Sequence, residues 1–149
     1  MRVIILNEDR FYASLLGSAA KKLGHNASVV CDIDSALAVV VEGNADALLI
    51  DLESQGARGI DLAFDLHRKG LHILVGFCTG SCETEELLTM AKNLGPILPK
   101  VWTHADLRTI LKEFQHQLSS QVSAPGTSAS ETQPASSQPV SSQPVSSLS

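Results

Sequence analysis

Short apolar runs alternate along the first part of the chain with segments whose apolar residues recur at helical spacing. The run Val3–Leu6 is too short for a helix and is typical of a buried strand, whereas Phe11, Leu15, Ala19 and Leu23 recur every four residues. Gly24 follows at the place where a helix C-terminal glycine belongs. The predicted strands are residues 2–6, 27–31, 45–51, 72–77 and 97–98, and the predicted helices are residues 10–23, 33–41, 59–69, 83–94 and 103–118.

Five strand–helix units joined by short links predict the fold class. Parallel strands need crossover connections, and helices then cover both faces of the sheet. We therefore expect an α/β fold with a doubly wound, five-stranded parallel sheet. The order of the strands within that sheet cannot be read from the pattern.

The character of the chain changes near residue 118. Residues 1–118 form the predicted domain, and residues 119–149 are rich in Ser, Pro and Gln, with QPASS, QPVSS and QPVSS following one another. Such a segment buries too little apolar surface to offset its ordering entropy, so we predict a disordered tail. Its function cannot be inferred from composition.

Composition narrows the class of protein. The 149 residues are 44% hydrophobic and 4% aromatic, with a formal net charge of -5 and no cluster of Lys and Arg. Nucleic-acid binding is disfavoured, because phosphate contacts need clustered basic residues. No apolar run is long enough for a signal peptide or a membrane span. Three cysteines, Cys31, Cys78 and Cys82, do not indicate a disulfide framework, and a reducing cytoplasm fits best.

The stretch ALLIDLESQG combines a buried strand with an acid. Four apolar residues run into Asp51, and a polar loop containing Gly56 follows. In parallel sheets ligands bind beyond the carboxyl ends of the strands, which is where Asp51 would lie. Asp also caps turns by accepting bonds from nearby backbone N–H groups. This stretch by itself leaves capping and function equally open.

Other polar residues follow the remaining predicted strands, so the fold would bring them to the same edge as Asp51. They are Asn7, Glu8 and Asp9 after the first strand, Glu53 after the third, Thr79 after the fourth and Lys100 after the fifth. Crowded carboxylates raise one another's pKa unless a cation lies among them, and Mg²⁺ prefers such oxygens and shares its coordination with phosphate. A carboxylate beside it can attack phosphorus, while a lysine and a hydroxyl stabilise the added charge. Each residue alone is ordinary, and only their convergence indicates a site.

Residues 1–118 resemble the receiver domain of two-component response regulators, whose fold is the flavodoxin-like (βα)5 arrangement. The matching segments are VIILNEDR, ALLIDLESQGARGIDL and ILPKV, and the most specific feature is Gly59, eight residues after Asp51. The resemblance implies that Asp51 is a phosphoacceptor and that Lys100 pairs with the phosphoryl group. It also implies Mg²⁺ held by Glu8 and Asp51, with Asn7 at the other acidic position and the backbone carbonyl of Glu53 as a further ligand.

The same resemblance implies partners. A histidine kinase or a phosphotransfer protein would supply the phosphoryl group, and a downstream protein would recognise the modified domain around the last helix and the fourth and fifth strands. Val101 and Trp102 are apolar residues near that surface, although a lone Trp is more often tucked against a sheet. A homodimer is left open.

The switch positions of the receiver pattern are unusual in this chain. Counting from the start of the fourth strand places Phe77 at the hydroxyl position, whereas residue type points to Thr79. Ile97 stands where the pattern has an aromatic residue. Val101 follows Lys100 in place of proline, so we expect no cis bond there.

Three hypotheses follow. The first is a receiver phosphorylated on Asp51 that signals through protein contacts and is not an enzyme. The second is a pseudo-receiver that binds partners without phosphorylation. The third is an enzyme or small-molecule binder, which the absence of a G-x-G-x-x-G or P-loop pattern disfavours. Cys78 reads as a buried free cysteine, and Cys82 as a thiol whose reactivity labelling would test.

Overall fold

Strands and helices alternate through the computed structural model, which describes residues 1–80 and 84–123. The strands are β1 Arg2–Leu6, β2 Asn26–Val30, β3 Ala47–Asp51, β4 Leu74–Thr79 and β5 Ile97–Pro99. The helices are α1 Arg10–Lys22, α2 Ile33–Val41, α3 Leu52–Gln55, α4 Ala57–Arg68, α5 Glu85–Leu94 and α6 His104–Ser123. The chain divides into two units, Met1–Phe114 and Gln115–Ser149. The first unit contains the sheet, and the described residues of the second, 115–123, are helical.

The five strands form one parallel sheet in the order β2-β1-β3-β4-β5. The chain moves outward from β1 to β2 and then returns to place β3 on the other side of β1, so the winding direction reverses between β1 and β3. In open α/β sheets ligands bind at such a reversal, beyond the carboxyl ends of the strands. The predicted doubly wound α/β fold is confirmed.

The middle of the sheet is buried on both faces. All five residues of β3 and the last four of β1 are buried, as expected for central parallel strands covered by helices. Gly59 lets α4 lie close to β3, since a Cβ at this position would come within 2.7 Å of Ile50 Cγ2. The glycine that is the most specific part of the sequence motif therefore has a packing role.

Several element boundaries differ from the sequence prediction, and two of the differences lie close to the candidate site. β4 begins at Leu74 and not at residue 72, because a turn in which the Ile73 N–H donates to the Leu71 carbonyl precedes it. The segment predicted as a loop after Asp51 contains the short helix α3, which ends at Gly56 with a positive φ of 56°. Glycine adopts that conformation without steric cost.

The last helix is longer than predicted. It continues through Ser123, so the first five residues of the predicted disordered tail, residues 119–123, are helical. Residues 104–124 contain no glycine or proline, the two residue types that most strongly oppose a helix, and the first proline after this stretch is Pro125. The rest of the predicted tail lies outside the described residues. No helix within the described ranges is both long enough and apolar enough to cross a membrane.

Candidate functional site

The strand register brings four of the predicted site residues to one edge of the sheet. Leu6 is paired with Ile50, so the next residues, Asn7 and Asp51, lie at equivalent positions on neighbouring strands. Thr79 is paired with Pro99, and Lys100 comes directly after that pair. The convergence predicted from the sequence is therefore present in the backbone.

Asp51 is buried at the end of β3, with only 2% of its surface exposed. Its carboxylate caps α3 by accepting a hydrogen bond from the Glu53 N–H at 3.3 Å, so the capping role considered from the sequence is real. Burial raises the pKa of Asp51, and the nearby Lys100 ammonium opposes that rise. A capping role does not prevent a chemical one, because this bond uses only one of the carboxylate oxygens.

Lys100 has Glu53 as its direct ionic partner. The ammonium Nζ lies 2.7 Å from Glu53 Oε1, with the two side chains 31% and 30% exposed. This hydrogen bond is the main reason that the pKa of Lys100 is raised, and Asp51, Glu53 and Asp9 add a smaller electrostatic contribution. Gly80 leaves room for this arrangement, since a Cβ there would collide with the Glu53 carboxylate.

Asn7 is fully buried beside Asp51 at the end of β1. Its Oδ1 accepts a hydrogen bond from the Asp9 N–H at 2.8 Å, and its Nδ2 has no hydrogen-bond partner among the described residues. An amide at this position removes one negative charge from the edge.

The other two acids after β1 have different surroundings. Asp9 is the N-cap of α1 and accepts a hydrogen bond from the Tyr12 N–H at 3.1 Å. Glu8 is exposed. Both are ordinary positions for acids at a helix start, where the helix dipole favours negative charge.

The donor set defines what kind of magnesium site this edge can form. In the described part of the chain no three Asp, Glu, His or Cys side chains are grouped as metal ligands. Asp51, Glu8 and the Glu53 carbonyl offer the kind of oxygen that Mg²⁺ prefers, and such an ion commonly keeps several waters and takes its remaining ligands from phosphate. They do not form an all-protein cage.

Phe77 and Thr79, the two candidates for the hydroxyl position, differ in where β4 places them. Because β4 starts two residues later than predicted, its sixth and last residue is Thr79, whereas Phe77 is fully buried in the core. The Thr79 hydroxyl donates a hydrogen bond to the Gly80 carbonyl at 3.2 Å. Thr79 is therefore the residue that brings a hydroxyl to the edge, and its role in binding phosphate remains a prediction.

Ile97, three residues before Lys100, is partly buried. Val101, directly after Lys100, is 89% exposed. Neither residue is aromatic, and Trp102 is half-buried. No peptide bond in the described ranges is cis, as expected from Val101 after Lys100.

The described cysteines are free. Cys78 is buried beside Asp51 in the register of β4, and burial raises the pKa of its thiol to about 12. A thiol of this kind is protonated and unreactive near neutral pH. The prediction of a buried free cysteine at 78 is confirmed, and Cys82 lies outside the described residues.

Tyr12 is a site residue that the sequence did not reveal. Its hydroxyl donates a hydrogen bond to the Lys100 backbone carbonyl at 2.8 Å, and its ring lies 4.8 Å from Lys100 Nζ. It occupies the first turn of α1, the helix that begins at the acidic edge of the sheet. This closeness to the edge was the one feature of the sequence that could have indicated a role for Tyr12 in the site. An aromatic residue in a helix reads first as part of a packed face, so its partner could be found only in three dimensions.

Comparison with known proteins gives matches in structure alone. No family model and no curated protein matches the chain. Solved structures that resemble it include three receiver or response-regulator proteins of 16–23% sequence identity. The receiver domain of a modulated diguanylate cyclase from Desulfovibrio desulfuricans has a TM-score of 0.68 at 23% identity, and the match covers 80% of this chain and 97% of that one.

Two further matches agree. The receiver domain of the Francisella response regulator 1452 has a TM-score of 0.68 at 19% identity, covering 78% of this chain and 98% of that one. A response regulator from Thermotoga maritima has a TM-score of 0.66 at 16% identity, covering 76% and 95% of the two chains. Together with the parallel sheet of order β2-β1-β3-β4-β5, these matches show that the chain has the fold of a response-regulator receiver domain.

Proposed function

We propose that this protein is a response-regulator receiver that accepts a phosphoryl group on Asp51 in a Mg²⁺-dependent reaction and signals through protein contacts. The observation that carries the proposal is the placement of Asp51. It is a buried carboxylate at the carboxyl edge of the sheet, next to the point where the winding reverses, with the Lys100 ammonium close enough to affect its pKa. Ordinary caps do not require that combination.

Asp51 would act as the nucleophile. One carboxylate oxygen attacks the phosphorus of a phosphohistidine or acyl phosphate donor, and an O–P bond forms as the donor's P–N or P–O bond breaks with its electron pair leaving on the donor. Burial raises the pKa of Asp51, which makes the carboxylate more basic than an exposed one. The attack needs the deprotonated form, and this form dominates well above the raised pKa.

The residues around Asp51 would then hold the product. A phosphoryl group carries nearly two negative charges at neutral pH, so modification increases the charge facing Lys100. Lys100 could exchange Glu53 for a phosphoryl oxygen, since the present ion pair is about one-third exposed and therefore weak. The Thr79 hydroxyl and the Asn7 amide are further donors at the same edge.

Magnesium would be held by Asp51, Glu8 and the Glu53 carbonyl, with Asn7 at the neighbouring position. Its contribution when bound is to neutralise the charge that builds up between the carboxylate and the incoming phosphoryl group. The partners that follow from this function are a histidine kinase or phosphotransfer protein and a downstream protein that distinguishes the modified domain. A cytoplasmic location is part of the same proposal.

A pseudo-receiver is the second candidate, and a specific observation favours it. Lys100 is already paired with Glu53, Asn7 contributes no charge, and Ile97 replaces the aromatic switch residue. Such a domain would bind partners constitutively through its folded surface.

The deciding experiment is intact mass spectrometry after incubation with Mg²⁺ and acetyl phosphate. We compare the natural chain with Asp51→Asn, which keeps a capping side chain but removes the nucleophile. Gain of one phosphoryl group by the natural chain alone supports the receiver. If acetyl phosphate adds no mass to the natural chain and beryllofluoride does not bind to it, the receiver proposal is wrong and the pseudo-receiver stands.

A further inference from the structure

Tyr12 holds Lys100 at two points. Its hydroxyl donates a hydrogen bond to the Lys100 backbone carbonyl at 2.8 Å, and its ring lies 4.8 Å from the Lys100 ammonium, within the range of a cation–π interaction. These contacts join the first turn of α1 to the end of β5, 88 residues away in the sequence. One side chain therefore contacts both the backbone and the charged end of the same lysine.

The backbone at Lys100 needs such a restraint. Strand β5 is three residues long and ends at Pro99, which has no N–H to donate to the sheet. Val101 after Lys100 is 89% exposed, so packing does not anchor the chain on that side. The Tyr12 hydroxyl bonds to the carbonyl between these two residues.

The electrostatic surroundings keep Tyr12 in its donating form. The side chain is half-buried, and burial is the main cause that raises its pKa well above the usual range. Negative charge at Asp51 and Glu53 raises the pKa of Tyr12 further. The phenol therefore stays protonated near neutral pH and above it, where an ordinary tyrosine is also protonated.

We propose that Tyr12 is a positioning residue, which aims the Lys100 ammonium at an anion bound on Asp51. It acts through Lys100, the residue whose backbone and ammonium it contacts. This inference rests on the proposed phosphoacceptor function of Asp51. It adds that the affinity of the site for a phosphoryl-like anion is set partly by a residue on α1.

Two variants separate the two contacts. Tyr12→Phe removes the hydrogen bond and keeps the ring under the ammonium, and Tyr12→Leu removes both. The matched control is Phe11→Leu, which changes the neighbouring aromatic residue on the same helix. The Phe11 side chain is 77% exposed and takes no part in the contacts with Lys100.

The measurement is a titration of each full-length protein with beryllofluoride in the presence of Mg²⁺, with the bound fraction followed by ¹⁹F NMR. The position of the Lys100 ε-methylene protons is recorded by ¹H–¹³C NMR on the ligand-free proteins, because a ring face beneath these protons shifts their resonance upfield. Thermal unfolding midpoints show that each variant is folded.

We expect Tyr12→Phe to bind beryllofluoride about two- to ten-fold more weakly, the effect of losing one neutral hydrogen bond. Tyr12→Leu should lose about a further two- to five-fold from the cation–π contact and should move the Lys100 resonance downfield. Phe11→Leu should match the natural chain in both measurements. A purely structural role would lower the unfolding midpoint without changing the affinity for beryllofluoride.

The outcomes distinguish this inference from the function on which it rests. If the natural chain binds beryllofluoride and both Tyr12 variants bind equally well, the positioning role is refuted while the receiver proposal stands. If the natural chain does not bind, both proposals are refuted. Weaker binding by Tyr12→Phe and Tyr12→Leu, with unchanged binding by Phe11→Leu, supports the inference.

Discussion

Replacing Asp51 with asparagine should stabilise the folded protein near neutral pH. The carboxylate is 2% exposed and accepts one hydrogen bond from the Glu53 N–H at 3.3 Å. Burial raises its pKa even though Lys100 works in the opposite direction, so the net effect of folding is to disfavour its charged form. Asparagine has nearly the same shape, caps helices equally well and carries no charge.

The sign of the pH dependence follows from this shift. A carboxyl group whose pKa is raised on folding costs nothing while it is protonated in both states, below its usual value of 3.8. The cost grows as pH rises through the folded pKa and is complete above it. We therefore expect Asp51→Asn to raise the free energy of unfolding at pH 7 by about 0.5–2 kcal/mol, the usual range for a stabilising substitution.

The assay is urea unfolding of both proteins at several pH values between 4 and 7, where the difference between them isolates residue 51. Asp32 and Asp46 have pKa values lowered by hydrogen bonds from Ser35 and Arg2, respectively, so the stability they contribute falls at acid pH. That loss is common to both proteins and cancels in the difference. The reasoning is refuted if Asp51→Asn is no more stable than the natural chain at pH 7, or if their difference does not shrink towards pH 4.

Three further predictions concern neighbouring residues. Glu53→Gln removes the direct ionic partner of Lys100, so the Lys100 pKa measured by NMR should fall. Beryllofluoride should bind about two- to five-fold more tightly, because the ion pair that it replaces is partly exposed and weak. An unchanged affinity would argue against competition between Glu53 and the anion. Asn7→Asp places a second buried carboxylate beside Asp51, so the free energy of unfolding should drop by about 1–3 kcal/mol in the absence of Mg²⁺. The lost stability should return when Mg²⁺ is added. A loss that Mg²⁺ does not reverse would contradict the expected position of the metal. Gly59→Ala should lower the free energy of unfolding in urea by about 1–3 kcal/mol, because the added Cβ would lie 2.7 Å from Ile50 Cγ2. If the stability is unchanged, α4 can move away from β3 at no cost and the close packing is not required.

Much of the fold could be predicted because its strands and helices carry their own periodic signals. Residues 33–41 were predicted as a helix with the observed bounds, and residues 2–6 as a strand with the observed bounds. The position of Asp51 at the end of a buried strand was also readable, since apolar residues on both faces stop abruptly at an acid. Where the local signal was weak, as at the start of β4, the prediction was displaced by two residues. An apolar run has no internal mark of where pairing begins, so a turn at its start can be mistaken for strand.

The sequence alone therefore determined the class of fold, the acid that ends β3 and the set of polar residues at the strand ends, because these depend on the spacing of residues close together in the chain. Only the tertiary structure decided that β1 and β3 are neighbours, that Thr79 ends β4, that Lys100 is paired with Glu53, and that Tyr12 contacts Lys100. These facts join residues that are far apart in the sequence. Their contacts arise from how the sheet is ordered and how α1 packs on it, and no local pattern encodes that.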